Sequence, residues 1–213
     1  MKNNATEVVF ILDRSGSMYG SEDDTVGGFN AALAQQKQKE GTAYVSTVLF
    51  NDRSEVLHDR IPIDEIPEMT RSDYLPAGGT ALCDAVGNAI RHIRNIHKYA
   101  RPEDVPEHTV FLITTDGMEN ASRTFNRNSI RNEIETMQKK YGWEFIFLAA
   151  DIDADEFARE IGIEPENAVQ YDKDCGGIRA SFMAMDEAIS AVREARPLAT
   201  SDWKKSLKKN GKK

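Results

Sequence analysis

Val8-Val9-Phe10-Ile11-Leu12-Asp13-Arg14-Ser15-Gly16-Ser17-Met18 is the stretch whose reading decides the fold. A short, continuous apolar run suits a strand buried on both faces, as in the centre of a parallel sheet. The run stops at Asp13, and hydroxyls follow at alternate positions, Ser15 and Ser17, around Gly16. A loop that turns Asp13, Ser15 and Ser17 toward one point gathers hard oxygen donors beyond the strand's carboxyl end. That is where open α/β sheets bind ligands.

Working outward, Val26, Phe29 and Leu33 recur at helical spacing to about Lys39, with Asp23 or Thr25 as an expected cap and Gly41 as the stop. Tyr44–Phe50 is rich in β-branched and aromatic residues and reads as a second strand. After the turn cluster Asn51-Asp52-Arg53-Ser54, Glu55–Ile61 reads as a third strand returning antiparallel at the sheet edge. Residues 62–79 have no regular pattern and must carry the chain back up to Gly78-Gly79-Thr80. A helix follows, with Leu82, Val86, Ile90, Ile93 and His97 on one stripe. His108–Thr114 is a fourth strand, ending at Thr115-Asp116-Gly117. Then come a helix over Ser129–Tyr141, a strand over Trp143–Ala149, a short helix over Asp151–Ile161 and a strand over Ala168–Tyr171. A last helix aligns Ile178, Phe182, Met185, Ile189 and Val192 before Pro197.

This order predicts one α/β domain: a doubly wound, Rossmann-like and mostly parallel six-stranded sheet of order 3-2-1-4-5-6, strand 3 antiparallel, with helices on both faces. In that order the first and fourth strands are neighbours, so Asp13 and Asp116 meet at the crevice where the strand order reverses. The domain is expected over residues 1–196, followed by a basic, frayed tail over 197–213.

Three separated segments thus supply oxygen donors to one place: Asp13-x-Ser15-x-Ser17, Thr80 after Gly78-Gly79, and Asp116 before Gly117. In residues, order and strand-end context this resembles a von Willebrand factor A domain with a complete metal-ion-dependent adhesion site, over roughly residues 7–195. The resemblance implies that Ser15, Ser17 and Thr80 coordinate an ion directly, and that Asp13 and Asp116 act directly or through water. It implies a protein ligand that presents an Asp or Glu to the metal, and a setting like that of bacterial and phage intracellular members of the family, in assembly or stress-response systems. Independently of any family, an oxygen-only donor set without His or Cys selects a hard ion, Mg2+ or Mn2+. Neutral hydroxyls leave the ion electrophilic toward an outside carboxylate. Gly79 lets the backbone approach closely at Thr80, and Gly16 and Gly117 do the same in their loops. Glu119 and Asn120, close to Asp116, are candidates for support or rim roles.

Composition bounds the alternatives. The 213 residues are 40% hydrophobic and 29% charged, with a net charge of −8. That is enough for one α/β domain with a sizeable core, and no apolar run approaches a membrane span. The start, Met1 to Glu7, runs into the first strand without the features of a secretory signal, so a cytoplasmic location is expected. Cys83 and Cys175 lack any CxxC partner and read as reduced, solitary thiols. The last twelve residues carry six lysines against Asp202, which leaves the body strongly acidic and argues against nucleic-acid binding.

Other clusters are poorer. Asp151, Asp153 and Asp155 lack the glycine and distal glutamate of a calcium loop and suit helix capping. Asp23-Asp24 resembles the support for a second ion beside the first in some integrin relatives, but its offset from Ser17 differs. His92 and His97 miss the i,i+4 spacing of a helical zinc pair. A competing reading is a metal-assisted phosphatase or hydrolase using Asp13. However, Ser15 stands where a second acid would be wanted, and no His or Lys is placed by motif to act as a general base. A nucleotide site is not indicated, since neither GxGxxG nor GxxxxGK[ST] occurs. A scaffold with a purely structural metal site is the third reading. The leading expectation is a non-catalytic binding module.

Overall fold

The computed structural model describes residues 4–210. The Val8–Leu12 run lies within β1 (Ala5–Asp13), every residue of which is buried. Alternation sends Val8, Phe10 and Leu12 to one face of the sheet and Val9 and Ile11 to the other, into two separate cores. That two-sided burial is why the Val8–Leu12 run is apolar without interruption.

β1 pairs in parallel with β2 (Thr42–Phe50) and, on its other side, with β4 (His108–Thr115). β3 (Ser54–Pro62) returns antiparallel along β2 at the edge, and β5 (Glu144–Ala149) and β6 (Ala168–Gln170) extend the sheet beyond β4. The order is β3-β2-β1-β4-β5-β6, as the alternation of elements predicts. A register shift between Val45 and Val48 bends the β2–β3 pair, and the Ser46 hydroxyl accepts the Arg60 N–H there at 3.1 Å.

α1 (Glu22–Lys37) and α5 (Cys175–Arg193) cover one face, through Phe29, Leu33, Phe182, Met185 and Ile189. α2 (Leu82–Tyr99), α3 (Arg127–Tyr141) and α4 (Ala154–Glu160) cover the other, through Val86, Ile90, Ile130, Ile134 and Phe157. Neither Asp23 nor Thr25 caps α1. The helix begins one residue before Asp23, and both lie inside its first turn, where Glu22, Asp23 and Asp24 complement the helix dipole. α4 begins later than expected because Asp153 is its cap and accepts the Glu156 N–H at 2.9 Å.

Two stretches differ from the sequence expectation. Residues 62–79 are not a mere climb: Ile63, Ile66, Met69 and Tyr74 are buried in the α1–α5 core. Asn30 on α1 brackets Met69 with two 2.9 Å bonds, donating to its carbonyl and accepting its N–H. Nor is the stretch after Pro197 wholly free. Leu198 and Trp203 are buried in that core, and a short helix, α6 (Lys205–Asn210), follows. Lys204 donates to the Pro165 and Ala168 carbonyls at 3.1 and 2.5 Å, and Ser206 to the Ala180 carbonyl at 3.1 Å. Apolar burial outweighs the solubility of the lysines here. Met1–Asn3 and the end of the basic tail, Gly211–Lys213, lie outside the described residues.

Candidate metal centre

The carboxyl ends of β1 and β4 carry the predicted acids side by side. Both Asp13 oxygens are engaged: Oδ1 accepts the Ser15 backbone N–H and Oδ2 accepts the Thr115 hydroxyl, each at 2.7 Å. The Ser15 and Ser17 hydroxyls share a hydrogen bond at 2.9 Å, and Ser17 Oγ donates to Asp116 Oδ1 at 2.5 Å. The D-x-S-x-S loop and the acid after β4 therefore form one connected oxygen cluster. Asp13, Ser15, Thr80 and Asp116 are buried, whereas Ser17 is exposed, so the cluster opens to solvent at Ser17.

Thr80 reaches the cluster from the third segment. A Cβ built on Gly117 would stand 3.4 Å from both Ser17 Oγ and Thr80 Oγ1, so the two hydroxyls converge on this glycine. The Thr80 backbone is clamped by Asn120, whose side-chain oxygen accepts the Thr80 N–H at 2.9 Å and whose N–H donates to the Thr80 carbonyl at 3.0 Å. Gly16 donates to the Gly78 carbonyl at 3.0 Å, and Ala77 to the Arg14 carbonyl at 3.0 Å, which laces the first and second loops together. Gly79 has no room for a side chain: a Cβ would lie 2.8 Å from both Asn120 Oδ1 and Asp52 Oδ1.

Glu119 supports the site from behind. Its carboxylate accepts the Cys83 N–H at 2.8 Å, the Ser122 N–H at 2.9 Å and the Ser122 hydroxyl at 2.7 Å. It thereby satisfies an orphan donor in the first turn of α2, which has no cap of its own in Ala81. This carboxylate and burial push the Cys83 thiol up to about 12, the burial being the larger effect, so Cys83 is an inert core residue.

Three further residues shape the site without having been marked by sequence reasoning. Thr115 binds Asp13. Tyr74, fully buried, donates its hydroxyl to the Asp13 carbonyl. Lys173, in the loop between β6 and α5, places its ammonium 2.7 Å from Asp116 Oδ2 and 3.7 Å from Asp151 Oδ2. Apart from that ion pair, Asp116 Oδ2 is a buried oxygen with no hydrogen-bond partner among the described residues. Burial raises the Asp13 pKa, and the nearby Asp116 charge adds to this, against the lowering effect of the Ser15 and Thr115 hydrogen bonds.

Among the described residues no group of three or more His, Cys, Asp or Glu could hold a metal ion. The donors here are two carboxylates and three hydroxyls. Such a set fits a hard divalent ion, and Asp13, Ser15, Ser17, Thr80 and Asp116 could hold one. The other candidates resolve differently. Asp153 caps α4, and Asp151, in a left-handed conformation at φ 55°, faces Lys173. Asp23 pairs with Arg71 at 2.5 Å in the open. His92 pairs with Asp59 at 2.8 Å, and His97 lies 3.2 Å from Glu7, edge-on to Trp143.

No protein-family model matches the chain, and no curated protein does. Solved structures do. The von Willebrand factor domain of the type V pili tip protein Mfa5 from Porphyromonas gingivalis superposes with a TM-score of 0.61 at 11% identity, over 87% of this chain and 95% of that one. Proximal thread matrix protein 1 from the mussel byssus, with a zinc-occupied metal-ion-dependent adhesion site, gives 0.56 at 16% identity over 90% and 46%. Manganese-loaded TRAP protein from Plasmodium vivax gives 0.55 at 12% identity over 85% and 73%. The chain spans less than half the length of several structures it matches, among them a von Willebrand factor type A protein from Catenulispora acidiphila. At these identities the likeness establishes the fold, which is that of von Willebrand factor A domains.

Proposed function

We propose that the chain is a non-catalytic protein-binding module. In this reading Asp13, Ser15, Ser17, Thr80 and Asp116 hold one Mg2+ or Mn2+, and a partner protein supplies an Asp or Glu carboxylate to it. The observation that carries the reading is the convergence of two buried carboxylates and three hydroxyls, from three loops, on a cluster open to solvent at Ser17. Related support comes from the zinc- and manganese-bearing structures of the same fold.

When bound, the ion supplies a positive charge with a coordination position free for an outside anion. The protein's part is to pre-form the cradle. Thr115 and the Ser15 N–H fix the Asp13 carboxylate, Ser17 fixes that of Asp116, and Asn120 and Glu119 hold the Thr80 loop at its backbone. This reading assigns no catalytic acid–base pair, since Ser15 stands where a second acid would be wanted beside Asp13. Two free cysteines, one of them exposed, favour a reducing, intracellular setting for this module.

The test is retention of a partner from source-cell lysate on the purified chain in Mg2+, in EDTA, and with Asp116→Ala in Mg2+. A protein held only by the unaltered chain in Mg2+ supports the metal-bridged mode. Equal retention in all three would overturn it.

A further inference from the structure

Lys173 stands out because its position is built. On one side Tyr171 is buried and its N–H donates to the Ala149 carbonyl at 2.9 Å, locking the strand end beside β5. On the other, Asp174 caps α5 by accepting the Gly177 N–H at 2.7 Å. Between these two anchors the lysine side chain, only 27% exposed, extends to Asp116 rather than into solvent. Its ammonium lies among the carboxylates of Asp116 and Asp151.

Each Asp116 oxygen therefore already faces a protein group. Oδ1 takes the Ser17 hydroxyl and Oδ2 takes the Lys173 ammonium. A divalent ion that draws on Asp116 through Oδ2 must displace the ammonium, breaking a partly buried ion pair. An ion that leaves the ammonium in place must sit near a like charge, beside the buried Asp116 carboxylate. Both routes weaken the ion's hold, and neither requires any movement of the fold.

We propose that Lys173 is an internal counter-ion that competes with the divalent metal for Asp116 and so sets the metal concentration at which the site loads. The inference rests on the metal-binding reading of the same cluster and adds a threshold to it. The module engages its acidic partner only above that concentration, and the lysine, not one of the oxygen donors, determines where the threshold lies.

The experiment is a titration of the full chain with Mn2+ alone, followed by calorimetry and by the loss of free Mn2+ signal in electron paramagnetic resonance. It compares the unaltered protein, Lys173→Met and Lys173→Arg. Lys173→Met is expected to bind Mn2+ about tenfold more tightly, while Lys173→Arg, which keeps the charge, stays near the unaltered protein. Circular dichroism in EDTA confirms that each variant is folded, as expected for a loop side chain. Equal or weaker binding by Lys173→Met overturns the counter-ion role while leaving the metal site standing. Failure of both the unaltered protein and Lys173→Met to bind Mn2+ overturns the metal reading itself, and the inference with it.

Discussion

Thr115 Oγ1 donates to Asp13 Oδ2 at 2.7 Å and so ties the end of β4 to the end of β1 across the point where the strand order reverses. The bond fixes a buried carboxylate that would otherwise leave one oxygen without a donor. With the Ser15 N–H on Oδ1, it orients the acid that heads the D-x-S-x-S loop.

Replacing Thr115 by Val keeps the shape of the strand end and removes the donor. An unsatisfied buried carboxylate oxygen costs about 1–3 kcal/mol. Urea unfolding of Thr115→Val in EDTA should show a loss of that size, and Mn2+ affinity should fall because Asp13 is no longer held. Unchanged stability would mean that water replaces the hydroxyl without cost.

The loop before Thr80 makes a second, sharper prediction. Gly79→Ala would place a Cβ 2.8 Å from two oxygens that clamp this loop, those of Asn120 and Asp52. Accommodating it requires both clamps to shift, for about 1–3 kcal/mol of lost stability. Gly27, exposed on α1 with nothing within 4 Å of a built Cβ, is the control: Gly27→Ala should gain about 0.5–1 kcal/mol from helix propensity. Thermal midpoints of the two variants should therefore move in opposite directions.

Much of this arrangement is legible in the residues themselves. The two-sided burial of Val8–Leu12 follows from its unbroken apolar run, and the juxtaposition of Asp13 and Asp116 follows from strand order alone. Thr115 could not be singled out in that way. Thr114 and Thr115 both precede Asp116, and only the β1–β4 pairing reveals which one meets Asp13. Lys173 sits in an Asp-Lys-Asp run that reads as a solvated loop until the fold brings Asp116 beside it. Tyr74 belongs to a stretch with no period, because its burial comes from crossing α1 and not from a repeating local structure.

The carboxyl-terminal stretch shows the same limit, with a consequence for stability. Six lysines after Asp202 mask the apolar anchors Leu198, Trp203 and Leu207, which pack on the α1–α5 core. Trp203 is 2% exposed, so Trp203→Ala should cost about 3–5 kcal/mol. A chain ended after Pro197 should show a comparable loss in urea unfolding. A truncated chain as stable as the intact one would show that the packed segment contributes nothing net.

His58 supplies a pH dependence remote from the metal centre. It is a buried residue of β3, with its ring stacked on Phe29 at 6.2 Å between centroids and Nδ1 3.0 Å from Thr47 Oγ1. Burial lowers its pKa from the ordinary value near 6.5, and the Asp73 charge offsets this only in part. A histidine whose pKa is lower folded than unfolded takes up its proton more readily when unfolded. Its contribution is therefore complete above the unfolded value and is lost as the pH falls toward the folded one. Stability measured by urea unfolding should decline as the pH drops below about 6.5, and His58→Gln, which does not titrate, should flatten that part of the profile. Parallel profiles for the two proteins would assign the acid sensitivity to other groups.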